Sequence, residues 1–69
     1  MKFIAKPNTW FKAGTECKLI VEYGSGSSRS GIFLGIRITE NPASEGGYEV
    51  GEEREDEEGC TFDEFDIVE

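Results

Sequence analysis

The sequence predicts an all-β domain, on three observations. Apolar residues recur at every second position through Cys17–Tyr23 and again through Ile32–Ile38, the period of a strand with one face against a core. Stretches rich in Gly, Ser, Asn and Pro punctuate the chain between these runs. No window of comparable length carries the 3.6-residue spacing of an amphipathic helix. The expected form is a small five-stranded antiparallel barrel, or a strongly bent sheet, with one short 3-10 turn before the last strand. At 69 residues the chain is a single small domain spanning 1–69, and a domain of that size buries only about 60% of the surface its unfolded chain exposes.

Phe3–Ala5 is a short first strand. Pro7-Asn8 and Ala13-Gly14 then mark turns on either side of Trp10-Phe11, so this segment reads as a long loop that presents two aromatics. In the second strand Cys17, Leu19, Val21 and Tyr23 alternate with Lys18, Ile20 and Glu22. Residues 24–31 hold no apolar side chain and are expected to form a flexible Gly/Ser loop. In the next strand Ile32, Leu34, Ile36 and Ile38 alternate with Phe33, Gly35 and Arg37, which puts bulk on both faces.

Glu40–Gly47 is a turn-rich connection, and Tyr48-Glu49-Val50 offers a further short strand. Six of the seven residues in 52–58 are acids, and a like-charged block with no apolar stripe is expected to be a solvated loop or hairpin tip. Phe62 and Phe65 stand three apart, the spacing of one tight turn, before a last strand at Asp66-Ile67-Val68. The expected core is Leu19, Val21, Ile32, Leu34, Ile36, Phe62, Phe65 and Ile67.

This order of loop, strand, hairpin, strand, hairpin, strand, tight turn and strand resembles an SH3-like barrel. The resemblance covers most of the chain and rests on element order; neither the Ala-Leu-Tyr-Asp-Tyr signature nor the Trp-Trp pair of signalling domains is present. Small size and an acid-rich second half also resemble small acidic phage and prophage proteins.

Charge is divided sharply along the chain. Residues 1–39 carry a net charge of +4 and residues 40–69 a net of −12, for a total of −8. Such an acidic half repels nucleic acid and anionic membrane and attracts basic protein surfaces. The start of the chain lacks the apolar stretch of a signal peptide, and the longest hydrophobic run falls far short of about 20 residues, so a cytoplasmic protein is expected.

The residue inventory argues against catalysis. There is no His, so the commonest general base is missing, as is any Cys–His or Ser–His pair. Cys17 and Cys60 are expected to be reduced, buried hydrophobes in a reducing compartment. No metal is expected, because two thiols without His do not complete a zinc shell and the acid run lacks the Asp/Asn alternation around Gly of a calcium loop. Gly24-Ser25-Gly26-Ser27-Ser28-Arg29 opens like a dinucleotide loop, but Arg29 replaces the third glycine, and no cofactor is expected.

The expected function is therefore non-enzymatic binding of a basic protein surface. In its sharpest form the chain is an inhibitor of phage or prophage type that occupies the nucleic-acid-binding surface of a host protein. On an extended segment, alternate side chains repeat at roughly 6.5–7 Å, close to the separation of successive phosphates along a nucleic-acid strand. The candidate contact residues are Glu49, Glu52, Glu53, Glu55, Asp56, Glu57, Glu58, Asp63, Glu64 and Asp66. The alternative is an SH3-like adaptor module that grips a basic or proline-containing peptide through Trp10 and acidic loops.

Overall fold

A computed structural model describes residues 1–24 and 29–69. Five antiparallel strands form one sheet, β1 (Lys2–Ala5), β2 (Glu16–Tyr23), β3 (Ser30–Ile38), β4 (Glu53–Thr61) and β5 (Phe65–Val68), in the order β4-β3-β2-β1-β5. A 3-10 turn at Phe62–Glu64 precedes β5. The sheet is not closed into a barrel, so β4 and β5 remain its two edges.

It is nevertheless curled. β5 lies three strands from β3, about 14 Å away in a flat sheet, yet the Phe33 and Phe65 rings meet at 4.3 Å between centroids. Curling brings five phenylalanines together on the inner side: Phe3 packs edge-on against Phe33, Phe62 and Phe65, and Phe11 leans against Phe65. Ala5, Cys17 and Cys60 complete this buried cluster. A register shift between Leu19 and Val21 inserts Ile20 into β2 as an extra residue, a bulge that bends the strand where it passes from β1 to β3.

The expected core takes the wrong face of β3. Phe33 is fully buried, and it lies between Gly31 and Gly35 on the inner face. Ile32, Leu34, Ile36 and Ile38 point outward and are only half-buried, while Val21 and Ile67 are exposed. Of the expected core, Phe62 and Phe65 are buried and Leu19 packs partly buried against the ring cluster. The two glycines explain the choice. A Cβ on Gly35 would stand 2.6 Å from Cys17 Sγ and 2.9 Å from a Phe11 ring carbon, and one on Gly31 would stand 2.4 Å from the Val21 carbonyl oxygen. Bare backbone on either side of Phe33 lets the rings and Leu19 close in, which a row of branched side chains would prevent.

Two connections also differ from expectation. The acid run 52–58 is not a loop: from Glu53 it belongs to β4, paired with β3 through Thr61. The nine-residue pairing with β3 supplies backbone hydrogen bonds that outweigh the poor strand preference of Glu, and the outward carboxylates stay in water. Tyr48-Glu49-Val50 is not a strand but part of a turn, with Gly51 at φ 86°. Thr39 N–H donates to the Glu52 carbonyl (3.0 Å) and Gly51 N–H to the Thr39 carbonyl (2.9 Å), which closes the base of the β3–β4 connection. Of the expected Gly/Ser loop at 24–31, Ser30 and Gly31 belong to β3, and Ser25–Ser28 lie outside the described residues.

Candidate functional site

Pairing with β3 sorts the acids of β4 onto two faces, because successive side chains alternate. Glu53, Glu55 and Glu57 stand opposite Ile38, Ile36 and Leu34 and point outward, exposed. Arg54, Asp56 and Glu58 stand opposite Arg37, Gly35 and Phe33 on the inner side and are half-buried. The outward row has one internal partner: the Lys12 ammonium pairs with Glu53. Among the described residues, Glu55 and Glu57 form no salt bridge.

The remaining expected contact residues do not join that row. Glu49 and Glu52 lie exposed in the turn before β4. The Glu64 carboxylate accepts from the Thr61 N–H at 2.8 Å and caps the 3-10 turn, where Asp63 accepts from the Thr61 hydroxyl. Asp66 is on β5 opposite Ile4, at the other edge of the sheet. The ten acids singled out in the sequence are thus dispersed, and only Glu53, Glu55 and Glu57 form an aligned set.

The inner side past Gly35 holds a second constellation. Arg37 and Arg54 face each other directly across β3 and β4, an arrangement of like charges that is unfavourable by itself. Glu45 resolves it. One of its oxygens accepts from Arg54 Nη2 at 2.8 Å and also from Arg37 Nη1, and Asp56 lies 3.4 Å from Arg54 and 3.9 Å from Arg37. The other oxygen of Glu45 accepts from the backbone N–H groups of Asn41 and Glu40, which ties the β3–β4 connection down onto the strands. Aromatic faces cover both guanidiniums, Trp10 at 3.6 Å from Arg37 and Tyr48 at 5.0 Å from Arg54.

These contacts hold the Glu45 carboxyl well below its ordinary value of 4.5, at about 2, chiefly through the Asn41 N–H and then the Arg54 guanidinium. Because the folded-state value is depressed, ionised Glu45 contributes stability that is complete above about pH 4.5 and is lost as pH falls toward 2. Acid titration of the melting temperature should show this decline, and Glu45→Gln should both lower the melting temperature near neutrality and flatten its dependence between pH 5 and 2. Glu45 was not distinguishable in the sequence from its acidic neighbours. The signal available there was the pair Arg37 and Arg54, since two cations near a core require acceptors.

Trp10 is 42% exposed, but its face is covered by the chain's own Arg37. A peptide arginine on that same face of Trp10 would have to displace Arg37 from both the indole and Glu45. The Trp10 groove therefore already holds the cation that an adaptor reading assigns to a ligand.

Both cysteines are free and buried, and burial pushes their thiols up, Cys60 to about 12 with Glu64 and Glu58 adding to the effect. At neutral pH Cys60 is a protonated thiol and a poor nucleophile. Among the described residues, no three His, Cys, Asp or Glu side chains gather as metal ligands, and no helix is long and apolar enough to cross a membrane. Compared with protein-family models, curated proteins and solved structures, the chain matches none.

Proposed function

We propose that this chain is a non-enzymatic protein-binding domain whose β4 edge takes a basic protein surface. The observation that carries the reading is the aligned outward row of Glu53, Glu55 and Glu57. Its two-residue repeat spaces the carboxylates at roughly 6.5–7 Å on a rigid strand, near the spacing of phosphates on a nucleic-acid strand. A basic surface that ordinarily holds nucleic acid finds comparable charge there, so the domain acts as a competitor for such a surface. Glu55 and Glu57 support this reading further, because among the described residues they have no ion pair to break before they meet a partner's Lys or Arg.

The test is capture of partners from a host lysate at low salt, release at high salt, and kinetics on the protein recovered. Association should slow steeply with ionic strength while dissociation changes little. Glu55→Lys with Glu57→Lys should abolish capture without unfolding the sheet, since both side chains are in solvent. Trp10→Ala should weaken binding far less, and nucleic acid should compete with the domain for the partner. Binding that survives the double reversal would overturn the proposal.

A further inference from the structure

An antiparallel sheet with one face on its core ordinarily turns polar residues to water on the other face. Here every outward position of β3 from Ile32 to Ile38 is aliphatic: Ile32, Leu34, Ile36 and Ile38. The bulge in β2 adds Ile20 and Val21 beside Ile32, and they are 44% and 49% exposed. The inner face is already filled by the phenylalanine cluster, and among the described residues no further strand or helix packs on this outer layer, which stays half-buried at Ile32, Leu34 and Ile36. Apolar residues gathered in this way mark an interaction surface.

The border of the patch indicates what covers it. On the β4 side, Glu57 stands directly across from Leu34 and Glu55 across from Ile36, so each carboxylate is a cross-strand neighbour of an aliphatic side chain. On the β2 side Lys18 stands across from Leu34, so the row has acids along one border and a cation on the other, and a complementary surface must present apolar side chains with cations on the side that meets β4. A second copy of this chain fits poorly, because each copy carries a net charge of −8 and the two repel. The same row repels anionic lipid. The aliphatic row runs about 20 Å along the strand, the length of about 13 or 14 residues of α-helix.

We infer that the outer face of the sheet docks an amphipathic helix of a partner protein, with the helix's apolar side along Ile32, Leu34 and Ile36 and its flanking Lys or Arg residues on Glu55 and Glu57. The inference rests on the proposed binding of a basic surface and deepens it: charge orients the partner, and the aliphatic row discriminates an amphipathic partner from a merely basic one.

The probe is a synthetic helical peptide of about 14 residues with Leu along one side and Lys on its borders, compared with a scrambled peptide of identical composition. The intact domain should bind the amphipathic peptide at least about tenfold more tightly than the scrambled one. Leu34 and Ile36 methyl resonances should shift on binding. Leu34→Thr with Ile36→Thr, which keeps strand preference at both positions, should remove the difference between the peptides while melting confirms the fold. Equal binding of the two peptides by the unmodified domain overturns this inference and leaves the charge reading standing. Binding that is indifferent to Glu55→Lys with Glu57→Lys overturns the charge reading and this inference with it. Failure to bind the amphipathic peptide, or a patch covered in solution by a second copy, also overturns the inference.

Discussion

Phe33→Ala is expected to remove most of the stability of the domain. The Phe33 side chain is fully buried, and its ring contacts Phe3 at 5.2 Å, Phe62 at 5.7 Å and Phe65 at 4.3 Å between centroids. Truncating a buried Phe costs about 3–5 kcal/mol, against a total stability of roughly 5–15 kcal/mol for domains in general and the lower end for one this small. Its same-face neighbours on β3, Gly31 and Gly35, carry no side chain that could fill the space. Leu34→Ala, on the next residue but the opposite face, should cost only about 1–2 kcal/mol, since Leu34 is half-exposed. Urea melts followed by circular dichroism give both values. Equal losses, or a larger loss at Leu34, would show that the face of β3 has been assigned the wrong way round.

The second large effect is expected at Gly31. A methyl group there would stand 2.4 Å from the Val21 carbonyl oxygen and 2.7 Å from Leu19 Cδ1. The oxygen belongs to the backbone of the neighbouring strand, so Gly31→Ala must shift β2 against β3 at the point where the bulge already interrupts their register. Overpacking of this kind costs about 1–3 kcal/mol, and a shift of backbone places Gly31→Ala at or above the upper end. Gly35→Ala meets side chains instead, Cys17 Sγ at 2.6 Å and Phe11 Cδ1 at 2.9 Å, which must shift within the core while the paired backbones keep their register. Gly31→Ala should therefore be the more destabilising of the two, with amide-exchange protection lost along β2 and β3. Similar stabilities for both variants would mean that β2 yields more easily than its pairing implies.

Glu45 and the Glu53–Glu57 run show how differently two acidic stretches behave in one fold. Glu45 binds two guanidiniums and two backbone N–H groups and fastens the β3–β4 connection onto the inner side. The Glu55 and Glu57 carboxylates form no salt bridge among the described residues and remain available at the edge of an aliphatic face. No property of the isolated residues separates them. The difference lies in which side of the hairpin each reaches and whether Arg37 and Arg54 are within range there.

Local patterning is enough to show that the chain is built from antiparallel strands, that Cys17–Tyr23 and Ile32–Ile38 lie within two of them, and that a tight turn at Phe62 precedes the last strand. Period-two alternation and the spacing of two aromatics are local properties, written in neighbouring residues. Tertiary structure alone decided which face of β3 turns inward. Both faces of this strand carry apolar bulk, and Phe33 can join Phe3, Phe62 and Phe65 only where Gly31 and Gly35 let them approach. Tertiary structure also made a strand of the acid run. The repulsion among its carboxylates is visible in the sequence, whereas the nine-residue length of β3 waiting to pair with it is not.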